Sequence, residues 1–226
     1  MNEARERNMQ ILKANGYEVT LFKTNREFLD HIKTDPSQVD LLVISGHGSP
    51  NRIEDLKVQD GEIISTDPTL CEEEQQTAFS SLRPILKDDS IVFFDACLTG
   101  NKTVERNIAM VASRVLPQST IYASQHVTNF EPGFILKQDE QNKDWGVVSE
   151  IYFGYYPDGK GPIETVDPTV YRSGVETTNQ EAVPIPPVQS RARRSSGWKP
   201  YVIGAMAVAA VAAAVGFGSW WYSKSS

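Results

Sequence analysis

Hydrophobic positions along residues 1–156 recur with two different periods, and the alternation between them predicts alternating helices and strands. Residues 3–15 set Met9 and Leu12 three apart with Ile11 adjoining, a helical spacing that Gly16 ends. Tyr17 to Phe22 reads as a strand. Asn25 is placed to cap a second helix with Phe28, Leu29 and Ile32 inward, and Asp35-Pro36 closes it. Two later runs, Asp40-Leu41-Leu42-Val43-Ile44-Ser45 and Ser90-Ile91-Val92-Phe93-Phe94-Asp95, are apolar and bounded by turn formers. Their β-branched and aromatic content marks them as buried strands.

Between those runs, residues 49–70 are polar and turn-rich, with a small hairpin expected around Gly61. Glu72 to Leu82 reads as a helix with acidic residues in its first turn, where the helix dipole favours them. A helix from about Thr103 to Val115 and a strand over Thr120–Ala123 follow. Residues 125–143 read as mostly loop, and Trp145 to Tyr156 as strand. Helices and strands in alternation, with short connections, predict an α/β fold built on a mostly parallel sheet with right-handed crossovers.

The character of the chain changes at Pro157. The stretch 157–199 contains the polyproline-like Pro184-Ile185-Pro186-Pro187, has few core formers, and reads as a linker. Tyr201 to Trp221 is free of charge and rich in Ala, Val and Gly. At 1.5 Å per residue a run of that length crosses a hydrocarbon core of ~30 Å. Trp198, Tyr201, Trp220, Trp221 and Tyr222 stand at its two ends, as interfacial aromatic residues do. The expected organisation is a domain over 1–156, a linker over 157–199, a transmembrane helix over 200–222 and a short tail over 223–226.

Charge sharpens that division. The 226 residues carry a net charge of −7. Arg191, Arg193, Arg194, Lys199 and Lys224 are the five basic residues of 190–226, which has no acidic ones, so 1–189 is strongly acidic. An acidic domain argues against nucleic acid as a partner, because phosphate binding needs a basic face. Four basic residues before the span and one after it predict a single-pass C-terminal anchor with the domain on the cytoplasmic side. The polar start of the chain shows no secretory signal, and two cysteines, Cys71 and Cys97, make no disulfide framework.

Each buried strand is followed at once by a chemically able residue: Ser45-Gly46-His47-Gly48 after the first, Ala96-Cys97-Leu98-Thr99-Gly100 after the second. The C-terminal ends of parallel strands share one sheet edge, where ligand sites form. The 50 positions from His47 to Cys97 hold a loop, a helix and a strand, which makes the two strands neighbours. An imidazole beside a thiol is the minimum equipment for nucleophilic acyl transfer: it takes the thiol proton and returns it to the leaving amine. Taken alone, Cys97 also reads as a small apolar core residue, and Asp95 as a group satisfying backbone donors at a strand end. Cys71, His31 and His126 read as structural or surface residues. No His and Cys fall at zinc-ligand spacing, so no metal and no cofactor is expected. Asp139, Glu140 and Asp144 read as a solvated acidic loop.

The pair Ser45-Gly46-His47-Gly48 and Asp95-Ala96-Cys97-Leu98-Thr99-Gly100 resembles the motifs of the caspase-like cysteine peptidases, and most closely those of metacaspases. The resemblance covers roughly residues 5–125. It implies a caspase-like sandwich, a central sheet flanked by helices. It implies Cys97 as nucleophile, His47 as general base and acid, and the N–H groups of Gly48 and Cys97 as the oxyanion hole. It implies that Asp95 lines the pocket for a basic P1 residue, so that protein or peptide substrates are cut after Arg or Lys. The family begins with a central strand that precedes the first helix; this sequence starts within that helix, so either the strand is lacking or the start lies upstream. Ala96 stands where metacaspases carry Ser.

The basic stretch Arg191-Ala192-Arg193-Arg194-Ser195 has two readings: a topology signal that touches anionic lipid, or a site of self-cleavage near Arg194. Two other function classes fit parts of the pattern. One is a catalytically silent caspase-like scaffold tethered at a membrane. The other is a flavodoxin-like or receiver-like signalling domain, although no Gly-rich phosphate loop or second acidic cluster accompanies Asp95.

Overall fold

The computed structural model describes Glu6, Met9, Gln10 and Lys13 and residues 19–22, 24–34, 39–127, 134–138, 148–155 and 164–177. Glu6, Met9, Gln10 and Lys13 are helical, within the range predicted for the first helix. The strand expected over 17–22 is absent from Val19–Phe22. Phe22 is instead buried edge-on against Phe28, ring centroids 5.4 Å apart, and lies 4.9 Å from the His31 ring. It anchors the entry to helix α1 (Asn25–Thr34). That helix is capped one residue earlier than expected: the Thr24 hydroxyl accepts from the Glu27 N–H at 3.1 Å.

The two apolar runs form β1 (Val39–Ser45) and β6 (Leu86–Asp95), which pair in parallel with Ser45 opposite Asp95. β7 (Thr120–Ala123) pairs in parallel on the other side of β6. The connection from β1 to β6 carries a meander of β2 (Gly48–Ser49), β3 (Arg52–Ile53), β4 (Leu56–Gln59) and β5 (Glu62–Ser65). The predicted hairpin at Gly61 is its last turn, with Asp60 and Gly61 at φ 53° and 84°. Helix α2 (Glu72–Thr77) is shorter than predicted and passes into a 3-10 turn at Ser80–Leu82 that buries Phe79 and Leu82. Helix α3 (Ile108–Val115) starts later than predicted, where the Asn107 side chain accepts from the Met110 N–H at 2.9 Å.

The sequence beyond β7 departs furthest from expectation. β8 (Phe134–Gln138) lies inside the expected loop, and pairs antiparallel with β9 (Val148–Tyr155), which falls inside the predicted strand. The expected linker holds three strands: β10 (Glu164–Val166), β11 (Thr169–Arg172) and β12 (Val175–Thr177). β10 pairs with β9. β11 pairs antiparallel with β7, and β12 with β11. The fold therefore does not end at residue 156. The central sheet runs β1-β6-β7-β11-β12 and is mixed, not mostly parallel to its edge: three parallel strands are followed by β11 and β12, each antiparallel to the strand before it.

Alternation along β1, β6 and β7 divides their side chains between the sheet faces. Leu42, Ile44, Val92, Phe94, Ile121 and Ala123 join one continuous core with Phe28 of α1, Ile108, Val111 and Ala112 of α3, and Ile53, Leu56 and Ile63 of the meander. Leu41, Val43, Phe93 and Tyr122, on the other face, are buried as well. Burial on both faces explains why these strands read as unbroken apolar runs.

Among the described residues no helix is long and apolar enough to cross a membrane. The span predicted over Tyr201–Trp221, the basic stretch Arg191–Ser195 and the acidic loop at Asp139, Glu140 and Asp144 lie outside the described residues.

Candidate functional site

The site grows from the register of two strands. Ser45 and Asp95 are the last residues of β1 and β6 and stand opposite each other. The Ser45 hydroxyl donates to Asp95 Oδ2 at 2.7 Å, with both side chains buried. The pairing runs one residue further, where the Gly46 N–H donates to the Asp95 carbonyl at 3.2 Å. Two residues past each strand end, the chains carry His47 and Cys97.

Gly48 shows how close these loops lie. A Cβ on Gly48 would collide with the Cys97 carbonyl oxygen, and would stand 2.8 Å from Ala96 Cβ and 2.9 Å from the Cys97 nitrogen. Only glycine allows the backbone after His47 to lie against the backbone of Cys97. Cys97 is half-buried and in no disulfide, while His47 is exposed. The next residue, Leu98, has φ 58°, a left-handed conformation that costs a non-glycine residue about 1 kcal/mol. The Leu98 N–H donates to the His126 carbonyl at 2.9 Å and the Gly100 N–H to the Ser124 carbonyl at 2.8 Å. The turn after β7 thereby braces the Cys97 loop.

Helix α3 ties both loops to the core. Its Ile108 N–H donates to the Pro50 carbonyl at 2.7 Å, in the loop after His47. Its Ala109 N–H donates to the Thr99 carbonyl at 3.3 Å, in the loop after Cys97. Asn107, fully buried, caps the helix and also donates through Nδ2 to the Tyr171 hydroxyl at 2.8 Å and the Asn101 carbonyl at 3.2 Å. Two N–H groups that a helix start leaves without intrahelical partners are thus used to hold the chemical loops.

The remaining candidates fall elsewhere. His31 belongs to the last turn of α1. Cys71 is exposed at the start of α2, where Glu74 reaches back to its N–H at 3.1 Å. Glu74 also binds Arg26 and Lys33 at 2.9 Å each, and those cations hold its carboxyl well below the usual range. Asp55 is raised, chiefly by burial and then by the nearby Asp67 and Glu54 charges. Among the described residues no group of three His, Cys, Asp or Glu side chains is set to hold a metal ion.

Two features here had no motif to announce them. Glu54, in the turn from β3 to β4, bonds to the backbone of His47 on both sides. The Ser124–His126 turn braces Leu98. Neither a lone glutamate nor a lone histidine in a polar stretch carries a sequence signal of that kind.

No family model matches the chain, and neither the curated proteins nor the solved structures include a match to it.

Proposed function

We propose that this chain is a membrane-anchored, caspase-like cysteine endopeptidase acting through Cys97 and His47. The observation that carries the reading is the contact of Gly48 with the Cys97 backbone at the in-register ends of two parallel strands. In the proposed reaction His47 takes the Cys97 Sγ proton and the thiolate attacks the scissile carbonyl. The N–H groups of Gly48 and Cys97 receive the oxyanion. As the C–N bond breaks, His47 returns the proton to the leaving amine. Water, deprotonated by His47, then hydrolyses the thioester and frees Cys97. Asp95 supplies the negative charge for an Arg or Lys at P1. The segment Tyr201–Trp221 is the anchor, and the basic stretch Arg191–Ser195 before it is a topology signal or, in the second reading, the place where the enzyme cuts after Arg193 or Arg194 to release its own domain.

The test is labelling of the purified full chain with a peptide acyloxymethyl ketone carrying Arg at P1, with an Asp probe as control and the adduct located by mass spectrometry. The expected result is an adduct on Cys97 that prefers the Arg probe. It is lost in Cys97→Ala and slowed by about 10²–10⁴-fold in His47→Ala, the usual worth of general acid–base catalysis. A folded protein that neither probe labels overturns the peptidase reading and leaves the silent scaffold.

A further inference from the structure

We infer that Glu54 is a positioning residue for His47, holding the base from its backbone; this rests on the proposed reaction at Cys97. The two residues form a reciprocal clamp. Glu54 Oε1 accepts from the His47 N–H, and the Glu54 N–H donates to the His47 carbonyl at 2.9 Å. Both backbone polar groups of His47 are therefore held by one residue. The glutamate side chain reaches its target across Gly46, where any Cβ would collide with Glu54 Cγ and stand 2.8 Å from Oε1. The first glycine of Ser45-Gly46-His47-Gly48 thus makes room for the clamp, and the second makes room for Cys97.

The conformation of Glu54 argues for a role beyond the turn. Ile53 pairs with Leu56, so Glu54 and Asp55 form the two-residue turn between β3 and β4. Glu54 sits there at φ 46°, in the left-handed region that glycine and asparagine occupy at low cost and glutamate does not. Glycine would relieve the strain and lose the carboxylate. Arg52 Nε donates to the Glu54 carbonyl and braces the turn in this shape. Strain kept at such a position, with its side chain spent on the candidate base, is the pattern of a residue held for function.

A hydrogen bond to an ionised carboxylate is stronger than a neutral one. Fixing the N–H and C=O of His47 fixes the two peptide planes that aim its side chain. A displacement of about 1 Å in a reacting group costs on the order of 10²-fold in rate.

The experiment compares the full-length wild type with Glu54→Gly and Glu54→Gln. It reads the rate of Cys97 labelling by the Arg probe from pH 5 to 9, the melting temperature, and the hydrogen exchange of the His47 amide by NMR. Glu54→Gly is expected to melt at or above the wild-type temperature, because the turn strain is relieved. It is expected to label about 10–100-fold more slowly, within the cost of misplacing a reacting group. Glu54→Gln keeps an acceptor oxygen and is expected to stay within about threefold of wild type, the loss of a charge-assisted bond being modest beside the loss of the bond itself. A purely structural glutamate would move stability and labelling together. Wild-type labelling in Glu54→Gly, or a Glu54→Gln rate as slow as that of Glu54→Gly, overturns the clamp. Amide exchange needs no activity: His47 should exchange slowly in wild type and Glu54→Gln and faster in Glu54→Gly. That pattern in a protein that never labels removes the peptidase reading and leaves the clamp. Exchange indifferent to Glu54→Gly in a protein that labels well removes the clamp and leaves the peptidase.

Discussion

The central sheet has two halves that differ in what their turns carry. The parallel half, β1-β6-β7, ends in loops that bear His47 and Cys97 and hold Leu98 and Glu54 in left-handed conformations. The antiparallel half, β11-β12, ends in a tight turn with Ser173 at φ 51° and Gly174 at φ 82°, torsions that suit the twist of a two-residue hairpin. In one half positive φ follows from strand twist. In the other, Leu98 takes it beside Cys97, Glu54 takes it in a two-residue turn from which it bonds to the His47 backbone, and Asp89 takes it near the start of β6. The difference separates a part that closes the sheet from a part that carries the candidate site, and substitutions can test whether the two are separable.

The largest expected effect comes from Gly48→Ala. The new methyl meets the Cys97 carbonyl and sits within 3 Å of the Cys97 nitrogen, a contact that backbone cannot relieve by rotating a side chain. Probe labelling of Cys97 should fall by about 100-fold or more. The matching change in the other half, Gly174→Ala, meets the Arg114 side chain from Cγ to Nε and the strain of its φ, and no backbone. It should cost stability, about 1 kcal/mol, and leave labelling per folded molecule unchanged. Equal losses of labelling in the two variants would break the distinction between the halves.

Asn107 joins the halves, and its substitution should be felt next most strongly. It caps α3, whose first N–H groups hold both chemical loops, and it donates to Tyr171 of β11. Asn107→Ala removes a cap worth about 1 kcal/mol and leaves a buried hydroxyl without that donor, a further ~1–3 kcal/mol. Chemical denaturation should therefore show a loss of about 2–4 kcal/mol. Tyr171→Phe keeps the cap and should lose about 1 kcal/mol with labelling intact. If Tyr171→Phe destabilises as much as Asn107→Ala, the tie across the halves outweighs the cap.

The same division governs what the sequence makes legible. β1, β6 and β7 are buried on both faces, so their apolar runs stand out, and Thr120–Ala123 is found at its predicted bounds. The neighbourhood of the His47 and Cys97 loops follows, because parallel register depends on the positions of those same runs. β11 and β12 were obscured by proline on either side and by their brevity. Yet Thr169-Val170-Tyr171-Arg172 has a strand composition, and Ser173-Gly174 before Val175 is a hairpin signal. The polarity of the stretch as a whole hid a local pattern. Val19–Phe22 differs the other way: Phe22 packs on Phe28 of α1 and Leu21 is exposed, so the run joins no ladder. The Glu54 clamp could not be read at all, since it depends on a turn bringing back a side chain over seven residues.

Tyr122 lies on the seam itself, since β7 pairs in parallel with β6 and antiparallel with β11. Its ring stacks on Phe93 at 6.2 Å between centroids, and burial pushes its phenol from 10.0 up to about 12. Because the folded pKa lies above the unfolded one, the folded state keeps its full stability below pH 10. That contribution is lost as pH rises from 10 towards 12, where the unfolded chain gives up the proton more easily. At about 1.4 kcal/mol per unit the loss reaches about 2–3 kcal/mol. Tyr122→Phe should melt like wild type at neutral pH and resist unfolding between pH 10 and 12. Tyr171, also raised by burial, titrates in the same direction, so the variant should be protected only in part. Because Tyr122 contacts strands of both halves, its ionisation should unfold them together. Labelling of Cys97 and far-ultraviolet circular dichroism should then fall at the same pH. Loss of labelling at a lower pH than loss of circular dichroism would show that the site loops open while the sheet persists, and that the parallel half is divided from its own chemistry.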